Sequence, residues 1–195
     1  MAETAPPVRC FVALELAPAL RPGLEAVVRR LRASGLDLRW VPPEHWHLTL
    51  AFLGDVPAEQ VAAHARALQP LACQAAPRLG VRGLGVFPPH GRPRVVWAGL
   101  VGDVARVQAL AAAVGQALAP HGYRAEPRPF TPHLTLGRVR CARGHGQLEA
   151  TLRAAGAGLD LAPEPHPRLI LFASELRRDG AHHAPLAVIG LGPAD

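Results

Sequence analysis

Arg9–Leu16 (RCFVALEL) is an almost unbroken apolar run of strand length and predicts a strand. From Pro18 to Ala33 the spacing changes to that of a helix: Leu20, Leu24, Val27, Val28 and Leu31 fall on one stripe, and Gly35 supplies a stop. Short strands follow at Leu36–Val41 and Trp46–Leu53, separated by Pro42-Pro43. A second helix runs from Pro57 to about Ala72. Strands at about Arg78–Phe87 and Arg94–Leu100 flank the turn-rich PPHGRP. Asp103 is an expected N-cap for a third helix, through Val107, Leu110, Val114 and Leu118 to about His121. After the Pro-studded EPRPFTP come a strand at His133–Arg140, a weakly marked helix at Gly146–Ala155, and strands at Arg168–Arg177 and Ala184–Leu191 around Arg178-Asp179-Gly180. The order is βαββα, then ββαβ, a short helix and ββ. That order predicts an α+β fold with helices on the outer faces of antiparallel sheets.

Two of these strands carry the same tetrapeptide, His-Leu-Thr-Leu, at His47–Leu50 and His133–Leu136. In a strand, residues i and i+2 share a face. His47 and Thr49 are therefore expected on one face while Leu48 and Leu50 enter the core, and His133 and Thr135 repeat the arrangement. No longer internal similarity accompanies the pair, so it suggests one pseudo-symmetric domain over residues 1–195 and not a tandem array. If the two strands face each other across a cleft, two imidazoles and two hydroxyls surround one small volume.

Charge and composition narrow the chemistry. The net charge is +6, all 21 basic residues are arginine, and lysine is absent. Schiff-base, adenylated-lysine and P-loop-lysine mechanisms are thereby excluded. What remains is a surface rich in a group that grips phosphates bidentately, which points to a polyanion such as nucleic acid. No apolar run approaches the ~18 residues of a membrane span, and MAETAPPVRC lacks a basic-then-apolar signal pattern, so a soluble cytoplasmic protein is expected. Cys10, Cys73 and Cys141 form no CxxC or disulfide framework and are expected to be buried as small hydrophobes.

Cleaving a phosphodiester without a metal needs one group to take a proton from the nucleophile and another to give one to the leaving oxygen. Histidine serves either role near neutral pH. A threonine two residues on offers a rotamer-restricted hydroxyl to a non-bridging phosphate oxygen, and two of the chain's five threonines sit in these motifs. His45 and His47 also form an H-x-H spacing. A metal would need further ligands and the second motif has no equivalent pair, so no metal is expected.

The chain resembles the 2H phosphoesterase superfamily, and within it the RNA 2′,3′-cyclic phosphodiesterases also called 2′–5′ RNA ligases. The matching stretches are FVALEL at Phe11–Leu16, WVPPEHWHLTLAFLGDV at Trp40–Val56, FPPHGRPRVVWAGL at Phe87–Leu100, RPFTPHLTLGRV at Arg128–Val139 and LFASELRRDGAHHAPLA at Leu171–Ala187. The resemblance implies a bilobal, pseudo-two-fold α+β fold in which two antiparallel sheets face a central cleft. It implies metal-free opening of RNA 2′,3′-cyclic phosphate ends to 2′-phosphates, with 2′–5′ joining where a 5′-hydroxyl takes the place of water, and no cofactor. By the same analogy His47 is the proton donor, His133 the proton acceptor, Thr49 and Thr135 bind phosphate, and Arg138 adds a fixed charge. The counterpart of Arg138 after the first motif is Phe52. The sequence itself leaves the order of acid and base open. Phe130, Trp46 and Trp40 are candidates for stacking on a base. Implied partners are RNA 3′ ends or small cyclic nucleotides, acted on by a monomer. The alternatives are a phosphodiesterase for a small cyclic nucleotide such as ADP-ribose 1″,2″-cyclic phosphate, or a non-catalytic RNA-binding module.

The family often has an aromatic residue in its last hairpin, where this chain has His182-His183. These two are expected to be solvated, and His64, His121, His145 and His166 to lie on the surface. His45 is expected near the cleft mouth or at the surface. Arg29, Arg30 and Arg32 are assigned to a solvent face, Arg92 and Arg94 to a strand edge, and Glu44 is a neighbour of the first motif without an assigned contact.

Overall fold

A computed structural model describes residues 5–125, 130–140, 145–177 and 181–194. Among these residues, nine strands form two antiparallel sheets. The first is built from β1 (Val8–Glu15), β3 (His47–Val56), β8 (Arg168–Leu176) and β9 (Ala181–Gly190), in the order β3-β1-β8-β9. The second contains β2 (Leu38–Trp40), β4 (Arg78–Phe87), β5 (Val95–Gly102), β6 (His133–Val139) and β7 (Asp160–Pro165), in the order β2-β6-β5-β4-β7. The repeated tetrapeptide thus falls once in each sheet, at the first positions of β3 and β6.

The helices form where the apolar stripes predict them. In α1 (Arg21–Ala33) the buried residues are Leu24, Val27, Val28 and Leu31, and Gly35, at φ +75°, lets the chain leave. In α3 (Val104–Leu118) they are Val107, Leu110, Val114 and Leu118. α1 packs against α4 (His145–Gly156), which lies on β4, while α3 packs against α2 (Val61–Leu68) and on β3. Helix α3 therefore follows a strand of the second sheet and covers the first. The buried residues of both sheets form one continuous hydrophobic cluster, including Val12, Leu14, Leu48, Val96, Leu134 and Leu136. No helix among the described residues is long and apolar enough to cross a membrane.

Three expectations are corrected. The second helix stops at Leu68 and continues as a 3-10 segment, Gln69–Cys73, because Pro70 cannot donate the hydrogen bond that an α-helix needs there. Asp103 does not cap α3 with its side chain; Oδ2 instead accepts the backbone N–H of Arg78 at 2.9 Å, tying the helix start to β4. Strand β7 was not expected, since its sequence DLAPEP contains two prolines. It forms because β7 is an edge strand, paired only with β4, where a missing N–H need not break a ladder.

Candidate active site

Each tetrapeptide strand carries the same irregularity. Along β3, Thr49 pairs with Ala13 and Ala51 with Val12, so Leu50 is an extra residue. Along β6, Thr135 pairs with Trp97 and Gly137 with Val96, so Leu136 is the extra residue. Both are β-bulges one position after the threonine, and both leucines are buried. The bulge matters because side chains alternate. A residue five positions after a histidine belongs on the opposite face of a regular strand, and one inserted residue returns it to the same face. Phe52 accordingly pairs with Phe11, and Phe11 stacks on both Phe52 and His47. Arg138 pairs with Val95, which shares a strand face with Trp97, the neighbour of His133.

β3 and β6 lie against each other where the two sheets meet. The chain crosses from one sheet to the other just before the first motif: Val41 N–H still bonds Leu136 O of β6 at 2.9 Å, and a 3-10 turn, Pro43–His45, leads directly into His47. Both imidazoles are half-buried and are oriented in the same way. His47 Nδ1 lies 2.7 Å from the carbonyl of His45, and His133 Nδ1 lies 2.8 Å from the carbonyl of Thr131. A carbonyl only accepts, so each Nδ1 carries the hydrogen and each neutral ring keeps its lone pair on Nε2. Thr49 and Thr135 are half-buried on the same strand faces as these rings.

The walls around the two rings differ. His47 stacks on Phe11 at 4.8 Å and meets Phe172 at 6.0 Å and, edge-on, His183 at 5.4 Å. His133 meets Phe87 edge-on at 4.9 Å and Trp97 at 6.5 Å. Burial pushes the His47 pKa down to about 4; His183, His45 and, across the cleft, His133 oppose its proton as well, against the pull of the His45 carbonyl. Glu15, opposite His47 in register, does not offset this, because its carboxylate is held by Arg168.

Several residues lie elsewhere than expected. Trp46 is 2% exposed and packed in the core, so it offers no face to a base. Phe130 packs half-buried against the core, and Trp40 lies under the Arg32 guanidinium at 5.6 Å. Arg29, Arg30 and Arg32 are exposed on α1 as expected, and Arg30 donates to the Ala155 carbonyl at the end of α4. His183 is not solvated: it contacts Phe11, His45 and His47. His64 and His166 are 3% and 1% exposed. Each is accommodated inside because its Nδ1–H reaches a local carbonyl, of Gln60 and Glu164. Cys10 is buried but Cys73 is exposed, at the end of the 3-10 segment. Cys141, the turn 178–180 and the His145 side chain lie outside the described residues. Among the described residues no group of three or more His, Cys, Asp or Glu is placed to hold a metal.

Phe11, Phe87, Trp97, Phe172 and His183 were missed as site residues. The signal for Phe11 is weak: its face of β1 reads Arg9, Phe11, Ala13, Glu15, and the two middle positions are apolar and buried like the core face beside them.

The model of the family described as LigT-like phosphoesterase matches residues 14–97 and 100–181. An RNA 2′,3′-cyclic phosphodiesterase of Aeropyrum pernix is 35% identical over 65% of this chain and 74% of its own. Another of that name, from Geobacillus stearothermophilus, is 33% identical over 84% of this chain. The chain spans only 51% of that relative's length. The crystal structure of TT0787 from Thermus thermophilus superposes with a TM-score of 0.76 at 27% identity, covering 95% of this chain and 98% of that one.

Proposed function

The chain belongs to the LigT-like phosphoesterase family, and from that premise we propose that it hydrolyses the 2′,3′-cyclic phosphate ends of RNA to 2′-phosphates. One observation carries the reading. Two imidazoles, one from each sheet, give Nδ1–H to the carbonyl two residues earlier, keep Nε2 for proton transfer, and lie close enough for their charges to interact. The names of the relatives in Aeropyrum pernix and Geobacillus stearothermophilus support the same substrate.

In this mechanism His133 Nε2 takes a proton from water as the water oxygen attacks phosphorus. The bond from phosphorus to the 3′ oxygen breaks, and His47 Nε2–H protonates that oxygen. The products are a 2′-phosphate and a 3′-hydroxyl. Thr49 and Thr135 donate their hydroxyls to the non-bridging oxygens, and Arg138 offsets the developing charge. His47 must be charged to act as the acid, and the bound phosphodiester anion favours that state. In the joining direction a 5′-hydroxyl takes the place of water as the attacking group.

His47→Ala and His133→Ala are each expected to slow hydrolysis of a short oligonucleotide 2′,3′-cyclic phosphate by ~10²–10⁴-fold, with activity of the parent protein retained in EDTA. Normal turnover by either variant removes the two-histidine mechanism. A substrate with sulfur in place of the 3′ oxygen has a leaving group that needs no proton. It should restore His47→Ala and not His133→Ala; the opposite pattern exchanges the two roles, as the low pKa of His47 would favour. Turnover of ADP-ribose 1″,2″-cyclic phosphate with an inert oligonucleotide would move the substrate assignment to small cyclic nucleotides.

A further inference from the structure

The His47 ring packs against one cluster of rings, Phe11, Phe172 and a third group, His183, that is ionisable where the first two are not. His183 comes from β9, near the far end of the chain, and its ring meets His47 at 5.4 Å with the planes 85° apart. The same ring stands edge-on to Phe11 at 4.9 Å, so Phe11 touches both imidazoles. Its Nδ1 is buried without a well-formed hydrogen bond and feels only the pull of the His182 backbone. A buried polar atom without a hydrogen-bond partner costs stability, so its presence here calls for a reason.

We propose that His183 is a positioning residue that acts through His47, backing its ring and setting how readily that imidazole accepts a proton. The first role follows from packing. Phe11 and His183 back the His47 ring on the same side, so the ring cannot swing toward β1 and β9 without displacing an aromatic neighbour. The second follows from charge. The groups facing His47 are His45 from the turn before β3, His183 and beyond it His182 from β9, His133 from β6, and Glu15 from β1. Glu15 is already held by Arg168 and Glu175, opposite His182, by Arg177, so His47 is surrounded mainly by imidazoles. Burial and the charges of His45 and His182 also lower the pKa of His183. As pH falls, each proton gained by this group raises the cost of the next.

The inference rests on reading His47 as a cleft imidazole that must change protonation state, and its test does not require turnover. His183→Phe keeps an aromatic ring and removes the charge. Followed by the ring proton resonances of His47, its titration midpoint should rise by about one pH unit, less than a full return to the ordinary value because burial persists. The acid limb of the kcat/KM profile should move with it. His183→Ala removes the backing as well and should lower kcat several-fold more than His183→Phe does. If His183→Phe does not fold, the parent protein still decides: His47 should report a second, neighbouring titration in its own chemical shift. A single unperturbed midpoint for His47 in the parent, or the same midpoint in His183→Phe, overturns the inference. A protein that titrates as described but turns over no cyclic phosphate retains this inference and loses the proposed reaction.

Discussion

The carbonyls of His45 and Thr131 determine what the two imidazoles can do. By accepting from Nδ1–H they fix the tautomer, and Nε2 of each neutral ring keeps the lone pair that can take a proton. Neither contact needs a distant residue: each runs to the peptide two positions earlier, just ahead of the strand. This explains why two identical tetrapeptides, each preceded by a break in the strand, set up both rings in the same way. The threonines belong to the same local unit. Thr49→Val and Thr135→Val keep the β-branched shape and delete the hydroxyl, so kcat is expected to fall on the order of 10²-fold for each with the fold intact. Serine at either position should retain most of the rate. Wild-type kcat in the valine variants would remove both hydroxyls from the phosphate site. Trp46 shows where reading single residues failed. An aromatic ring adjoining the tetrapeptide has the same one-letter context whether it faces the cleft or the core, and here it faces the core.

At the scale of the element, the bulges at Leu50 and Leu136 are the controlling feature. They keep Phe52 and Arg138 on the cleft side despite an odd spacing from the histidines, and they make the two motif strands alike in backbone as well as in sequence. What the strands do not share is their neighbours. The slot of His133 depends on Phe87 and Trp97, whose rings contact each other at 5.1 Å. Gly85 of β4 lies against the Trp97 indole, and a Cβ there would run into it. Gly85→Ala is therefore expected to shift Trp97, cost about 1–3 kcal/mol of stability, and depress activity through His133 while leaving the midpoint of the His47 titration in place. Full activity with an unaltered tryptophan fluorescence spectrum would show that the indole is not held as described. The helices were legible because a buried stripe at every third or fourth residue is a property of the segment itself. The edge strand β7 was not, since its prolines are tolerated only by its place in the sheet.

Across the whole molecule, the buried imidazoles make stability depend on pH. His47 has a folded pKa of about 4, below the ordinary 6.5, and His166 and His183 are lowered too, each chiefly by burial. A depressed imidazole binds its proton more readily in the unfolded chain, so unfolding takes up protons and stability falls as pH drops from about 6.5 towards 4. His47 alone should account for about 2 kcal/mol between pH 7 and 4.5. Urea midpoints measured across that range should decline, and His47→Gln should flatten part of the slope; a flat profile in the parent protein would contradict the burial of these rings. The same burial marks the division between what the chain states locally and what it does not. Sequence alone determined the helical stripes, the two strands with His and Thr on a common face, and the absence of lysine chemistry, because each is a matter of neighbours along the chain. Tertiary structure decided the rest: the meeting of the two sheets brings β3 to β6, while the curl and strand pairing within each sheet bring His183 to His47 from near the opposite end of the polypeptide and let one inserted leucine set Arg138 beside Val95. Those contacts join residues whose separation in sequence carries no periodic signal, so they exist only once the strands are paired and the sheets packed.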